Sequence, residues 1–431
     1  MKNNPIKSAI NSTMFNDYKY LPESISNNDI HITIDNFLEA IIQYRYRHNK
    51  FVSESMHRRI TEHTALNVMD TKALIYALTH ATVGNVIDST KGLHFQSLLL
   101  ASQLANPKAW ACYPIIDKLH ITVDVTQEEV DDLYLQSPAI FKDSQFQCSK
   151  TRPKRQDGQF YTDILTFSLK TDKTAQIRLF FGDNAKQRER PQNKLAIEFI
   201  PSRFKPKEVK DFFRRLKRSN CIKKYKVKMQ EANVSRCDVA IDFLLVNTPL
   251  VIVDKSKAQN FSNHSRHEMK NLRFVQTIYI CNKCSSHIDV YNKPEKLLEL
   301  PLKKVNQRVP LLINKEGVPL IVTRFENVYR PQQSGTTLLL NNLGKMRSLF
   351  QSVQIFNPDL LGNFDGIEKE LVFRNGVMVY LKSKDNAAFT ARREMLKRHT
   401  MFINHGAFES MQEKVLRKLR KCIIFPEKDR K

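Results

Sequence analysis

The sequence predicts an α+β fold in which a mainly antiparallel sheet forms a catalytic core between a helical N-terminal region and a helical, basic C-terminal region. Three changes of pattern along the chain predict it. From about Asp35 to Ala105 the apolar residues recur at helical spacing, as in Phe37, Leu38, Ile41 and Ile42, then Leu74, Ile75 and Leu78, then Leu98 and Leu99. From about Pro114 the period becomes two, and beyond a stretch rich in Gln, Ser, Thr, Asn and Gly at Pro331 to Gly344 helical spacing returns. These shifts divide the chain into a helical accessory region at 1–113, a sheet-bearing region at 114–335 and a basic helical region at 336–431.

In the first region Asp35 and Asp70 are placed to cap helix starts. Arg45, Arg47, Arg58 and Arg59 fit either contacts to a nucleic-acid backbone or a solvated helix face, and a helix-turn-helix is compatible with the pattern. In the second, Leu119 to Val123, Ile164 to Leu169, Ile177 to Phe181 and Leu195 to Ile200 alternate as strands do. The polar stretches Lys150 to Gly158 and Lys186 to Asn193 lie between strands and read as loops able to follow a phosphate backbone. Lys207 to Lys217 is a predicted helix with Val209, Phe212, Phe213 and Leu216 on one side. Its other side, with flanking residues, makes the densest basic patch: Arg203, Lys205, Lys210, Arg214, Arg215 and Lys217 are the expected DNA-binding set. Arg392, Arg393, Lys397, Arg398, Arg417, Lys418, Arg420 and Lys421 make the last region basic as well.

The 431 residues hold 69 Lys and Arg against 44 Asp and Glu, a formal charge of +25. Such an excess repels itself unless a polyanion shares the surface; nucleic acid is the leading partner, and a ribosome or an anionic membrane surface also satisfies charge alone. Seven cysteines, few and odd in number, fit a reducing cytoplasm, and the N-terminus has no signal-peptide pattern. No apolar run approaches the roughly 20 residues of a membrane span, so no membrane partner is expected.

Three further strand segments carry the chemistry: Val234 to Leu245, Thr277 to Lys293 and Ile321 to Arg330. Alternation puts Arg236, Asp238, Ala240 and Asp242 on one face of the first and Cys237, Val239, Ile241 and Phe243 on the other. The second reads as a hairpin through Lys283 to Ser286, with Tyr279 and Tyr291 on its polar side; the third adds Arg324 and Glu326. Carboxylates gathered on one face repel unless protons, bases or a divalent cation neutralise them, and all-oxygen donors suit magnesium or manganese. A metal held by two or three of these acids would polarise a phosphodiester for attack by a nearby tyrosine, leaving a phosphotyrosine that conserves the bond energy.

The segment from Val234 to Phe243 resembles the Arg-x-Asp-x-Ala-x-Asp strand of the replication initiation factor family, which includes rolling-circle plasmid and phage initiators and mobile-element nickases. Thr277 to Ile280, Ser285, Tyr291 to Lys293 and Glu295 resemble its Thr-x-Tyr-x-Gly, Ser, Tyr-x-Lys and Glu pattern. Arg324 to Glu326 resembles its Arg-x-Glu strand, and Leu195 to Pro201 its strand ending in Pro; together the motifs cover about 117–335. The resemblance implies a metal-dependent enzyme that nicks and rejoins one strand of origin DNA, with Tyr279 as nucleophile, Tyr291 as second choice and Asp238, Asp242 and Glu326 as carboxylates for Mg or Mn. Lys293, Arg236 and Arg324 would stabilise phosphate charge or pair with neighbouring acids.

The chain departs from that pattern at Cys281, where the family has Gly, and at Asp289, where it has Arg. These departures keep open the alternative of a DNA-binding replication or regulatory protein that retains the fold without the chemistry. Cys281 and Cys284, with Cys237 or His287, and the set His264, His267 and His287 have metal-ligand residue types, although no second pair at zinc spacing accompanies them. No Walker-type phosphate loop occurs, so unwinding falls to a host helicase and extension to a host polymerase; a homodimer is among the assemblies expected.

Overall fold

A computed structural model describes residues 28–64, 70–79, 90–151, 161–182, 195–248, 252–255, 261–264, 277–280, 286–298, 309–332, 335–351, 353–375 and 386–427. In chain order its strands are β1 Ile30–His31, β2 Ile115–Val123, β3 Phe146–Thr151, β4 Asp163–Leu169, β5 Gln176–Phe181, β6 Leu195–Phe199 and β7 Asn233–Leu244. They continue as β8 Ile252–Lys255, β9 Phe261–His264, β10 Thr277–Ile280, β11 His287–Asn292, β12 Leu312–Ile313, β13 Val322–Tyr329 and β14 Val353–Phe356. The α-helices are α1 Phe37–His48, α2 Glu54–Thr64, α3 Thr71–Thr79, α4 Thr90–Ala105, α5 Gln127–Phe141, α6 Pro206–Arg218, α7 Tyr225–Glu231, α8 Lys293–Leu298, α9 Gly366–Asn375, α10 Asn386–Arg398 and α11 His405–Ile424.

Ten strands join in one sheet of order β3-β4-β5-β6-β2-β7-β13-β11-β10-β9. Every neighbouring pair in it is antiparallel. The chain is thus a mixed α+β protein built on a large antiparallel sheet. Its two faces differ in chemistry because side chains alternate along each strand. Cys237 and Val239 enter one hydrophobic core, and Ile241 and Phe243, on the same face of β7, enter a second. Helices cover this apolar face. Phe37, Ile41, Leu74 and Leu99 pack with Ile278, Val290 and Phe325, while Val209, Phe212 and Leu216 of α6 and Leu416 and Leu419 of α11 pack with Leu119, Leu179 and Val239. Residues from all three regions read from the sequence therefore share buried cores; Tyr44, Phe325 and Phe408 belong to one of them.

Local signals account for most element ends. Asp70 caps α3, its Oδ1 accepting the Ala73 N–H at 2.9 Å, whereas Asn36 rather than Asp35 is the residue flanking α1. A reciprocal box of Thr126 and Glu129 starts α5, a helix that the apolar spacing did not announce. Lys293 opens α8 instead of prolonging β11, because Pro294 has no N–H to give to a ladder. The basic region after Pro331 is not wholly helical: β14 pairs antiparallel with β8. An apolar run as short as Val353 to Phe356 does not by itself distinguish helix from strand. Among the described residues no helix is long and apolar enough to cross a membrane.

Two histidines are buried beside α1 and α2. The ring of His48 stacks on Tyr44 at 4.0 Å between centroids, and His57, 1% exposed, meets Tyr113 edge-on at 5.4 Å. Burial lowers both rings from the ordinary imidazole range to about 3. Between roughly pH 6.5 and the folded value the unfolded chain takes up protons that the folded chain refuses, so stability falls as pH drops through that window. The urea midpoint is expected to fall steeply below about pH 6.5, by on the order of 3 kcal/mol per ring near pH 4, and a His48→Gln/His57→Gln variant should show a flatter dependence. An equally steep decline in the double variant would assign the acid sensitivity to other groups.

Candidate functional site on the polar face of the sheet

Opposite the packed cores, the sheet presents an uncommon concentration of charge. On β7, Arg236, Asp238 and Asp242 alternate with the core residues, as the period of two dictates. Directly paired residues share a face, so the ladder extends this set across the sheet. Asp242 is opposite Arg324, which is opposite Tyr291, and Ala240 is opposite Glu326, which is opposite Asp289 and then Tyr279. In the other direction Arg236 is opposite His120, followed by Glu198 and Arg178. Both tyrosines and the acids therefore lie on one side of one sheet.

The deepest contact joins β7 to β13. Arg324, 1% exposed, donates through Nε to Asp242 Oδ1 at 2.6 Å and through Nη2 to Oδ2 at 2.9 Å, while its Nη1 bonds Asp117. Burial alone would raise the Asp242 carboxyl, but the guanidinium outweighs it and holds the group far below the usual carboxylate range. Helix α1 closes this corner: Arg45 Nη1 donates to the Asp242 carbonyl at 2.6 Å and its Nε to the Trp110 carbonyl at 3.2 Å. Asp117 reaches Arg324 because β2 is irregular there. Ile116 pairs with Val239 and Lys118 with Asp238, which leaves Asp117 as an extra residue in the strand.

Beyond this pair lies a cleft of about 560 Å³ whose walls include Asp117, Lys118, Glu198, Arg203, Asp238, Lys293 and Glu326. Asp238 is clasped by Arg236, with Nε at 2.9 Å from each carboxylate oxygen. Burial pushes its carboxyl up to about 6, helped by the charges of Glu326 and Asp117 and opposed by Arg236. Burial lowers the Lys293 ammonium to about 8, with the Arg324 charge acting in the same direction. Tyr291, 2% exposed, donates its hydroxyl to Glu326 Oε2 at 2.6 Å, and Lys296 from α8 sits 3.7 Å above its ring centroid. Burial, then the Glu326 charge, raises that phenol well above its ordinary range. Tyr279, 6% exposed, occupies the rung beside Asp289 on β11, and Asp289 Oδ1 is 3.4 Å from His287 Nε2.

Of the residues singled out from the sequence, Asp238, Glu326, Lys293 and Arg203 line the cleft. Arg236 supports it from behind Asp238, whereas Arg324 and Asp242 neutralise each other beneath it. The donor chemistry decides which acids suit a divalent cation. Asp238 and Asp242 are separated by four strand residues, about 13 Å, and a magnesium ion bonds its ligands at about 2.1 Å, so the two aspartates do not share one ion. Of the three expected carboxylates, Asp238 and Glu326 line the cleft together. Among the described residues no group of three or more His, Cys, Asp or Glu side chains is placed to hold a metal. Cys281, Cys284, His267 and most of the two polar loops lie outside the described residues.

The basic helix α6 lies elsewhere. Its apolar side is packed into the core on the far face of the sheet, and its cations are partly spent on neighbouring acids: Arg214 and Arg215 bind Asp211 of the same helix, and Lys217 Nζ is 2.6 Å from Glu427 Oε1. Lys205 precedes the helix, its N–H donating to Glu208 Oε2 at 2.7 Å. The cleft instead draws on Asp117, Lys118, Lys173, Arg178 and Glu198, none of which composition had marked. Alternation was the available signal for two of them, since Arg178 lies between Ile177 and Leu179, and Glu198 between Ile197 and Phe199. Compared with family models, curated proteins and solved structures, the chain gives no match.

Breaking the buried pair from one side leaves an uncompensated charge, which costs roughly 3–5 kcal/mol, whereas replacing both partners with apolar groups of similar size is far milder. Arg324→Met is therefore expected to lower the unfolding free energy by about that amount, and Arg324→Met/Asp242→Leu to recover much of it. Denaturant unfolding of both variants checks this, and losses that simply add would show that the two side chains are not coupled.

Proposed function

We propose that this chain binds origin DNA on the polar face of its sheet and nicks and rejoins one strand through a tyrosine, as a rolling-circle replication initiator of plasmid, phage or mobile-element type. The observation that carries the reading is the shared face: two tyrosines, Asp238, Asp289 and Glu326 stand on one side of four adjacent strands, beside a cleft that Asp238 and Glu326 line, in a chain of formal charge +25. Tyr279 is the proposed nucleophile. Its phenol oxygen forms the new bond to phosphorus as the bond to the 3′ oxygen breaks; the phenol proton passes to a carboxylate of the site, and the departing 3′ oxygen takes up a proton to become the free hydroxyl. Asp289, the cross-strand neighbour of Tyr279, is the proposed acceptor. Lys293 and Arg236 face the negative charge that develops on the phosphate, while Arg324 positions the floor on which they stand. A divalent cation, Mg or Mn, bound by Asp238 and Glu326 would polarise the phosphodiester.

The product is a 5′-phosphotyrosine and a 3′ hydroxyl that a host polymerase extends, with a host helicase opening the duplex. The reading places the protein in the cytoplasm, as a monomer or a homodimer. A second reading, DNA binding without cleavage, is favoured by Asp289, which puts a carboxylate where the resembling family has an arginine.

Incubation with supercoiled origin plasmid and magnesium is expected to yield protein covalently attached to a 5′ end. Tyr279→Phe should abolish the adduct and Tyr291→Phe reduce it; an adduct undiminished by Tyr279→Phe removes that residue from the role, and binding with no cleavage by the unaltered chain selects the second reading. The Lys293 ammonium is charged below about 8 and neutral above it, so the cleavage rate should decline as pH rises through about 8. Lys293→Arg should shift that alkaline limb upward; an unmoved limb would assign it to another group.

A further inference from the structure

The helix with the densest basic sequence is not where the site is. We propose that single-stranded DNA reaches the site across the sheet, its phosphates held at the cleft mouth by Lys173, Arg178 and Arg203, and that α6 is a structural helix. This inference rests on the DNA reading and names the surface that reading requires.

Three observations carry it. The first is sidedness: α6 buries Val209, Phe212, Phe213 and Leu216 in the core on the apolar face, whereas the cleft opens on the other face. A strand held on α6 would have to pass round the sheet to meet Tyr279. The second is neutralisation. Arg214 and Arg215 are bound to Asp211, and Lys217 to Glu427, so phosphate there competes with existing partners. The third is the arrangement of charge along the cleft. At one end Lys173 and Arg178 are exposed, and Arg203 is fixed to their hairpin by an Nη1 bond to the Thr174 carbonyl at 2.8 Å. Glu198, the acid that lines the cleft at this end, is bonded to Lys118 at 2.7 Å and lies 3.8 Å from Arg178, so the cations outnumber it. At the other end are Asp238 and Glu326, and the tyrosine-bearing hairpin pairs with β13 beside Glu326.

The ladder gives the span. From Arg178 on β5 to Glu326 on β13 is four strand spacings through β6, β2 and β7, about 19 Å, combined with about 13 Å along β7 from the Arg236 rung to the Ala240 rung, or roughly 23 Å in all. That distance equals the axial rise of roughly seven nucleotides of one B-form strand. A strand lying across the β-strands thus places several phosphates between the cationic mouth and the scissile position.

The test compares two neutralised proteins in binding to a labelled single-stranded oligonucleotide of mixed sequence over a salt series, with unfolding curves recorded for each. Lys173→Gln/Arg178→Gln should weaken binding about tenfold at moderate salt and reduce the slope of log affinity against log salt by roughly 1.4, as loss of two single-strand phosphate contacts requires. Lys210→Gln/Arg214→Gln/Lys217→Gln should bind within about twofold of the unaltered chain with an unchanged slope. The reverse pattern overturns the inference and restores α6 as the DNA surface. If the unaltered chain binds and the cleft variant binds equally well, this path alone is wrong; if the unaltered chain binds no DNA, the functional reading falls and the path with it.

Discussion

One buried ion pair holds the polar face in order. Arg324 and Asp242 lie on the central strands β13 and β7, almost wholly removed from water, and each satisfies the other with two parallel hydrogen bonds. A pair in that setting is retained for position more than for net stability, because desolvating the two ions offsets much of their attraction. Here it fixes two neighbours at once. The third arm of the guanidinium holds Asp117 on β2, and Arg45 of α1 donates to the Asp242 backbone carbonyl. The first helix is thereby keyed to the sheet through the same residue that anchors its central strands.

The electrostatics of the cleft follow from that floor. With Arg324 and Asp242 mutually neutral, Asp238, Glu326 and Lys293 are among the groups that face the opening, and burial with neighbouring charge sets the proton affinities of Asp238 and Lys293. Asp238 is kept partly reluctant to ionise and Lys293 partly reluctant to hold its proton, the condition in which buried groups exchange protons near neutral pH. Tyr291 is tied to Glu326 and covered by Lys296, so it orients that carboxylate rather than presenting a free hydroxyl.

What the sequence made legible was periodicity. The alternation from Arg236 to Phe243 assigned both faces of β7 correctly, the Thr277 to Asn292 hairpin pairs as its pattern implied, and the helical spacing before Ala105 is borne out by four helices. What was not legible was tertiary: a run of lysines and arginines states how much charge a helix carries, but not which side of a sheet the helix will cover. That is why α6 drew attention while Lys173 and Arg178, isolated cations in a hairpin, did not. Nor does composition report that β14 of the last region joins β8, or that α11 packs into the same core as α6. Whether two carboxylates can serve one ion, by contrast, was already fixed by the rise per residue between Asp238 and Asp242.

The irregularity at Asp117 reaches further than its one contact. Because the strand takes in an unmatched residue, Ile116 and Lys118 project to opposite sides even though they are two apart. Removing Asp117 would therefore straighten the strand while leaving Lys118 and His120 on their present side, and it would take from Arg324 its second carboxylate. Any pattern written for strict alternation passes over Asp117, so relatives sharing this architecture are better sought by allowing one variable spacer ahead of the Lys-x-His segment.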